Sequence, residues 1–232
     1  MGRTPVGSAG GRAIERLKAA ARTGVAVAPF LIVAFYGMLL SAPSTRNRAR
    51  WMMAENHHVE LLTFASLFLA MILAARLAWK ARRTTLVAVF WALFSAGLLF
   101  AAMEEVAWGQ TFFGFETPQV LQGLNRQNEL TLHNLPGLHN RTEFFRIAFG
   151  LGGIFGVWLY SRNRLRQIAP PPVLLSWFVL IAVLAGLDLL NDFYRIHKRF
   201  DKNIHELSEV VEMMVGLSAL LFVWLRKDGG QT

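Results

Sequence analysis

Two adjacent carboxylates, Glu104 and Glu105, stand at the end of an apolar run in "FAAMEEVAWGQTFFGFETP", Phe100 to Pro118, with Trp108 and Gln110 just beyond them. Hydrocarbon cannot solvate an unpaired acid, so the pair implies either a partner or a task. Other apolar segments carry the same pattern at one end. His205, Glu209 and Glu212 fall within roughly 60° of one another at ~100° per residue, so an imidazole and two carboxylates share a helix face and step about two turns inward. Glu206 points elsewhere on that wheel. Asp188, Asn191, Asp192 and Arg195 form a comparable stripe on another segment, and His57, His58 and Glu60 open a third, where His57 and Glu60 can face the same way.

Imidazole and carboxylate are a ligand set suited to zinc, iron or manganese, and a desolvated carboxylate can act as a general base. On this reading His133, His205 and Glu209 are the expected metal ligands, and Glu104 or Glu105 is the base for an activated water. Asp188 orients a ligand or binds metal itself, and Glu212 completes the acidic set. His57, Glu60, Trp108, Gln110, Asn128, Glu129, Asn134, Asn191 and Asp192 are the supporting polar groups. Neither an HExxH helix nor a pair of ExxH motifs occurs, so the metal assignment rests on composition and convergence.

Each residue alone has a simpler structural reading. Asp188 or Asp192 would pair with Arg195, Glu104 or Glu105 would accept hydrogen bonds from Asn and Trp side chains, and His205 would cap its helix. For the set as a whole the functional reading is stronger, because a bundle gains nothing structurally from so many acids in lipid-facing sequence. His139 and His197 are read as loop residues.

The elements that must position these groups are transmembrane helices. The 232 residues are 54% hydrophobic, beyond an ordinary soluble domain. Six apolar runs, Gly24–Ala42, Val59–Trp79, Leu86–Trp108, Phe144–Tyr160, Val173–Tyr194 and Glu206–Leu225, each approach the ~20 residues that a helix needs to cross the hydrocarbon core. They are continuous rather than alternating, which argues against a barrel. The expected fold is therefore all-α, a polytopic bundle of about six spans in a single domain over residues 24–226. A basic tail (1–23), in which "GRAIERLKAAAR" reads either as a surface helix or as a solvated tail, precedes it, and a short tail (227–232) follows. The long third connection contains Thr117 as a candidate N-cap before Pro118 and a cluster of Phe112, Phe113 and Phe115. It reads as an interfacial or re-entrant cap. Within it, "NRQNELTLHNLPGLHN" is rich in amides and ionisable groups yet has an apolar side of leucines, as a docking lid would.

Six crossings put both termini on one face with the second and fourth connections. That face holds 14 of the 24 Lys and Arg residues, which favours cytoplasmic termini. The opposite, loop-bearing face holds all six histidines and 13 of the 15 acids, all but Glu15 and Asp228. The absence of cysteine excludes disulfides, thiolate ligands and a cysteine nucleophile. The net charge of +9 flanks the spans, where it serves orientation and anionic-lipid contact, so no nucleic-acid partner is inferred.

In "EEVAWGQ", "GFETP" and "QNELTLHNL" the chain resembles a group of uncharacterised bacterial multi-pass membrane proteins with this succession of motifs. The likeness covers the third span and the loop after it. It implies the inner membrane as location and carries no activity with it. A fainter likeness is to the alkaline ceramidase and adiponectin-receptor superfamily, helical bundles that hold zinc with histidines and an aspartate near one face. Here there are six runs rather than seven, and His205 and Glu209 stand where an HxxxH pair would be.

The expected function is a metal-dependent membrane enzyme that hydrolyses or modifies a lipid-like substrate at the loop-bearing face. The alternatives are a transporter or proton/ion pathway built from the same acids, and a non-catalytic assembly or sensor subunit.

Overall fold

The computed structural model describes residues 9–54, 57–118, 131, 142–162, 165–194 and 198–227, with backbone alone for 9–12 and 198–205. The described residues form helices and connecting turns. The first, α1 (Ala9–Ser41), is one continuous helix of 33 residues, so the basic segment extends the first span rather than forming a separate surface helix. Pro29 lies inside it and has no N–H to give to the carbonyl of Val25. The Trp177 indole donates to that carbonyl at 2.8 Å and the Ser176 hydroxyl to Ala26 O at 2.7 Å, so the polar groups exposed by the proline are met by another helix.

A second helix, α2 (Pro43–Met52), fills the first connection, opening with proline at its first turn. Its Thr45 hydroxyl donates to Leu39 O at 2.8 Å and its Arg46 Nε to Leu40 O at 2.7 Å. The last carbonyls of α1, orphaned at any helix end, are satisfied this way. Then follow α3 (His58–Lys80), α4 (Thr85–Glu105), the short α5 (Gln110–Phe113), α6 (Thr142–Leu159), α7 (Leu175–Tyr194, preceded by a 3-10 turn at Pro172–Leu174) and α8 (Lys198–Lys227). Among the described residues six helices are long and apolar enough to cross a membrane. They match the six runs read from the sequence, and the chain is an integral, multi-pass helical membrane protein.

The bundle is built around α8. Its most apolar stretch is 56% buried, against 17–28% for the other five spans. Helix α3 packs on α4 and α8, α7 packs on α6 and α8, and α1 packs on α2, α7 and α8. Leu67, Trp91, Leu98, Ile181, Met214 and Phe222 form the middle of the apolar core. The outward side chains are largely apolar too, including Leu93, Phe155 and Val183, as a lipid-facing surface requires. Close approach of α6 to α7 depends on glycine: a Cβ at Gly150 would lie 2.9 Å from the backbone of α7 at Phe178 and Ala182, and one at Gly153 would overlap the Phe178 ring.

At the termini-bearing end Tyr160 lies under two guanidiniums, Arg166 and Arg226, each 4.9 Å from its ring. The hydrogen bond from Arg166 and the positive field of both arginines hold the phenol below its ordinary value. Arg226 also donates to the carbonyl of Ala169, which ties the end of α8 to the turn before α7.

Candidate functional site

The third apolar run stops being helical earlier than its hydropathy suggests. Helix α4 ends at Glu105, three residues before Trp108, because Ala107 and Trp108 adopt φ values of 45° and 55°. Positive φ is disfavoured for residues with a Cβ, and such strain persists only where surrounding contacts enforce it. The reversal carries Trp108 back over the helix end, and its indole N–H donates to Glu104 Oε1 at 2.6 Å. Gly109, at φ 97°, completes the turn into α5. Gln110 then closes the following loop by donating to Phe115 O at 3.1 Å and Thr117 Oγ1 at 2.9 Å. Thr117 is buried but precedes no helical residue among those described, so its role here is as acceptor for Gln110 rather than as a demonstrated N-cap. Phe112 and Phe113 are exposed beside it, and the Phe112 ring lies 5.5 Å from Phe64 on α3.

Glu105 is the centre of the site. The carboxylates within electrostatic reach of it are Glu212 and Glu209 from α8, Glu60 from α3 and Glu104 beside it on α4. Acids from three spans are thus gathered in the same region, at the loop-bearing end of the bundle. Glu60, Glu104 and Glu209 each have partners of their own.

Glu212 also joins this group to a buried basic residue. Its Oε1 lies 3.7 Å from Arg146 Nη1, on α6. Arg146 Nη2 donates to Asp188 Oδ2 on α7 at 3.0 Å and lies 3.9 Å from Glu143, one turn before it on α6. Arg146, Glu143 and Asp188 are all buried. The ion-pair network therefore joins α8 to α6 and α7. Asp188 is a counter-ion of Arg146, and Arg195, the partner read for it in the sequence, lies outside the described residues.

The remaining expectations divide. Asn191 is buried next to this network, whereas Asp192, rotated about 100° further round α7, is exposed. His57 stands at the N-cap position of α3 with its ring 4.8 Å from Trp51, and His58 packs on the same indole at 5.1 Å. Glu206 faces away from the carboxylates, as its angle on the wheel requires, and pairs with Arg50 of α2 at 2.7 Å. Asn128, Glu129, His133 and Asn134 lie outside the described residues, as does the His205 side chain. Thr131, the described residue of that loop segment, is buried. Among the described residues no group of three His, Asp or Glu side chains is spaced to hold a metal ion.

Arg146 and Glu143 were not singled out in the sequence, although "TEFFRIAFG" carries the signal. An arginine at the third position of an apolar run is as costly in lipid as an acid and needs an interior partner for the same reason.

Compared with protein-family models, curated proteins and solved structures, the chain matches none. Its class is set by its own architecture, a six-span helical membrane protein with a carboxylate recess at one end.

Proposed function

We propose that the protein is a membrane-embedded hydrolase that acts on a lipid-like substrate at the loop-bearing face, with Glu105 as general base and a divalent metal held by Glu209 together with His133 and His205, whose side chains lie outside the described residues. The observation that carries this reading is the gathering of acids from three spans within electrostatic reach of Glu105, at one end of the bundle. Such groups in a membrane protein ordinarily mark a site of function.

Roles follow from the contacts. Glu104 is engaged by the Trp108 indole and Asp188 by Arg146, which makes both positioning groups. Glu105, the acid that the other carboxylates surround, is the base, and Glu209, His133 and His205 are the ligands expected from the sequence. Two imidazoles and a carboxylate are a donor set suited to zinc, iron or manganese. When bound, such an ion polarises a carbonyl or phosphoryl oxygen. Glu105 takes a proton from the attacking water as the new bond to oxygen forms. It returns that proton to the departing alkoxide or amine as the old bond breaks.

A conducting pathway is disfavoured by what lies below the recess. Between it and the termini-bearing face the interior is occupied by Leu98, Ile181, Met214, Ala219, Phe222 and Val223. The hydroxyls found there are turned onto backbone carbonyls, Ser95 onto Met71 O and Ser218 onto Val215 O.

Metal content of the detergent-purified protein, measured by plasma mass spectrometry, tests the proposal. Near-stoichiometric manganese, zinc or iron in wild type that is lost in Glu209→Gln and His133→Ala supports it. A wild type free of metal after purification without chelators removes the metal from the mechanism.

A further inference from the structure

At the opposite end of the bundle from the recess, two cavities meet at the α3–α4 corner. One, of about 350 Å³, is lined by Trp79, Lys80, Arg82 and Arg83. The other, of about 470 Å³, is lined by Met71, Ile72, Ala75, Arg76, Trp79 and Lys80. They share Trp79 and Lys80, so a basic pocket opens into a shallow groove along the outside of α3, where Met71, Ile72 and Ala75 supply the apolar lining beyond Arg76. We propose that this corner is a binding site for a single anionic phospholipid, with the phosphate and headgroup in the basic pocket and one acyl chain in the groove.

Charge selects the headgroup. Arg76, Lys80, Arg82 and Arg83 form no ion pair among the described residues, and Glu15, the carboxylate described on this face, is paired with Lys18 at 3.0 Å. The N-terminus of α4 opens at Thr85 with no side-chain cap bond and no acid in its first turn, so its backbone N–H groups add to the positive field. Arg82 is stacked over Trp79, 4.9 Å from the ring centroid, which holds the guanidinium at the pocket. Trp79 itself is 70% exposed, as an indole at headgroup depth would be.

Depth selects a lipid over a soluble anion. The pocket lies where two spans, His58–Lys80 and Thr85–Glu105, reach the membrane surface. From Lys80 back to Met71 the groove covers ~14 Å at ~1.5 Å per residue. That is about one leaflet of a ~30 Å hydrocarbon core. A soluble phosphate would fill the pocket and leave the groove empty.

The test is native mass spectrometry of the full chain in detergent, with dioleoylphosphatidylglycerol and dioleoylphosphatidylcholine in equal amounts. Wild type should retain one phosphatidylglycerol in preference to phosphatidylcholine. Lys80→Gln/Arg82→Gln/Arg83→Gln should weaken that binding about fivefold per charge removed. Ala75→Trp, which fills the groove and keeps every charge, should also weaken it. Arg16→Gln/Lys18→Gln/Arg22→Gln, three charges removed from the same face on α1, should leave it within twofold. No preference in wild type, equal loss in the α1 variant, or unchanged binding in Ala75→Trp would each overturn the proposal.

Discussion

The acids around Glu105 and the pair at Arg146 make opposite demands on stability. Arg146 and Asp188 are buried and joined at 3.0 Å, so removing the arginine alone takes the cation from a buried acidic group. Arg146→Met should cost about 3–5 kcal/mol, and Arg146→Met/Asp188→Leu should recover only part of it, because Glu143 and Glu212 still lose their cation. Thermal unfolding in detergent checks both. Glu105, among four like charges, differs: if its role is chemical, Glu105→Gln should unfold no earlier than wild type. A fall of many degrees would mark it as structural. Ala107→Gly should raise stability by about 1 kcal/mol, since glycine adopts the φ of 45° found there without the Cβ conflict. The sequence made the carboxylates visible because acids stand out in an apolar run. It did not show that Asp188 faces Arg146, because that contact joins positions 42 residues apart on separate helices.

The spans themselves were legible from hydropathy alone, and most helix ends fall within a few residues of those read in the sequence. The differences have local causes. Helix α1 starts earlier because the stretch from Arg12 to Arg22 is made mostly of strong helix formers and holds neither glycine nor proline, and α4 stops earlier because the chain turns at Ala107 and Trp108. Helix α2 was missed because a ten-residue polar helix lacks an apolar signal of its own and is held by its bonds to the end of α1. Two predictions belong to this scale. Gly150→Val should destabilise the bundle by about 1–3 kcal/mol, since its side chain must push α6 from the α7 backbone. Trp177→Phe should cost about 1–3 kcal/mol by stranding Val25 O. In a Pro29→Ala background, where an N–H is restored to that carbonyl, the cost of Trp177→Phe should shrink.

The whole molecule is polarised. One end carries the carboxylate recess, the strained turn after α4 and the long loop, and the other carries arginines and a lysine with no ion pair among the described residues, beside a tryptophan at headgroup depth. This polarity was plain in the sequence, because counting crossings sorts the acids and histidines to one side whichever way the protein is inserted. Insertion with the termini in the cytoplasm is expected from the basic residues. Reporter fusions after positions 83 and 162 should then read as cytoplasmic and a fusion within 119–141 as external. The central claim is that the recess performs chemistry on lipid. The most direct measurement is mass spectrometry of a bilayer lipid extract, with added ester, amide and phosphoester lipids, incubated with reconstituted wild type and with Glu105→Gln. The account predicts a cleavage product that accumulates with wild type and is absent with Glu105→Gln. No product from any of the three lipid classes, or an equal yield from the variant, would contradict it.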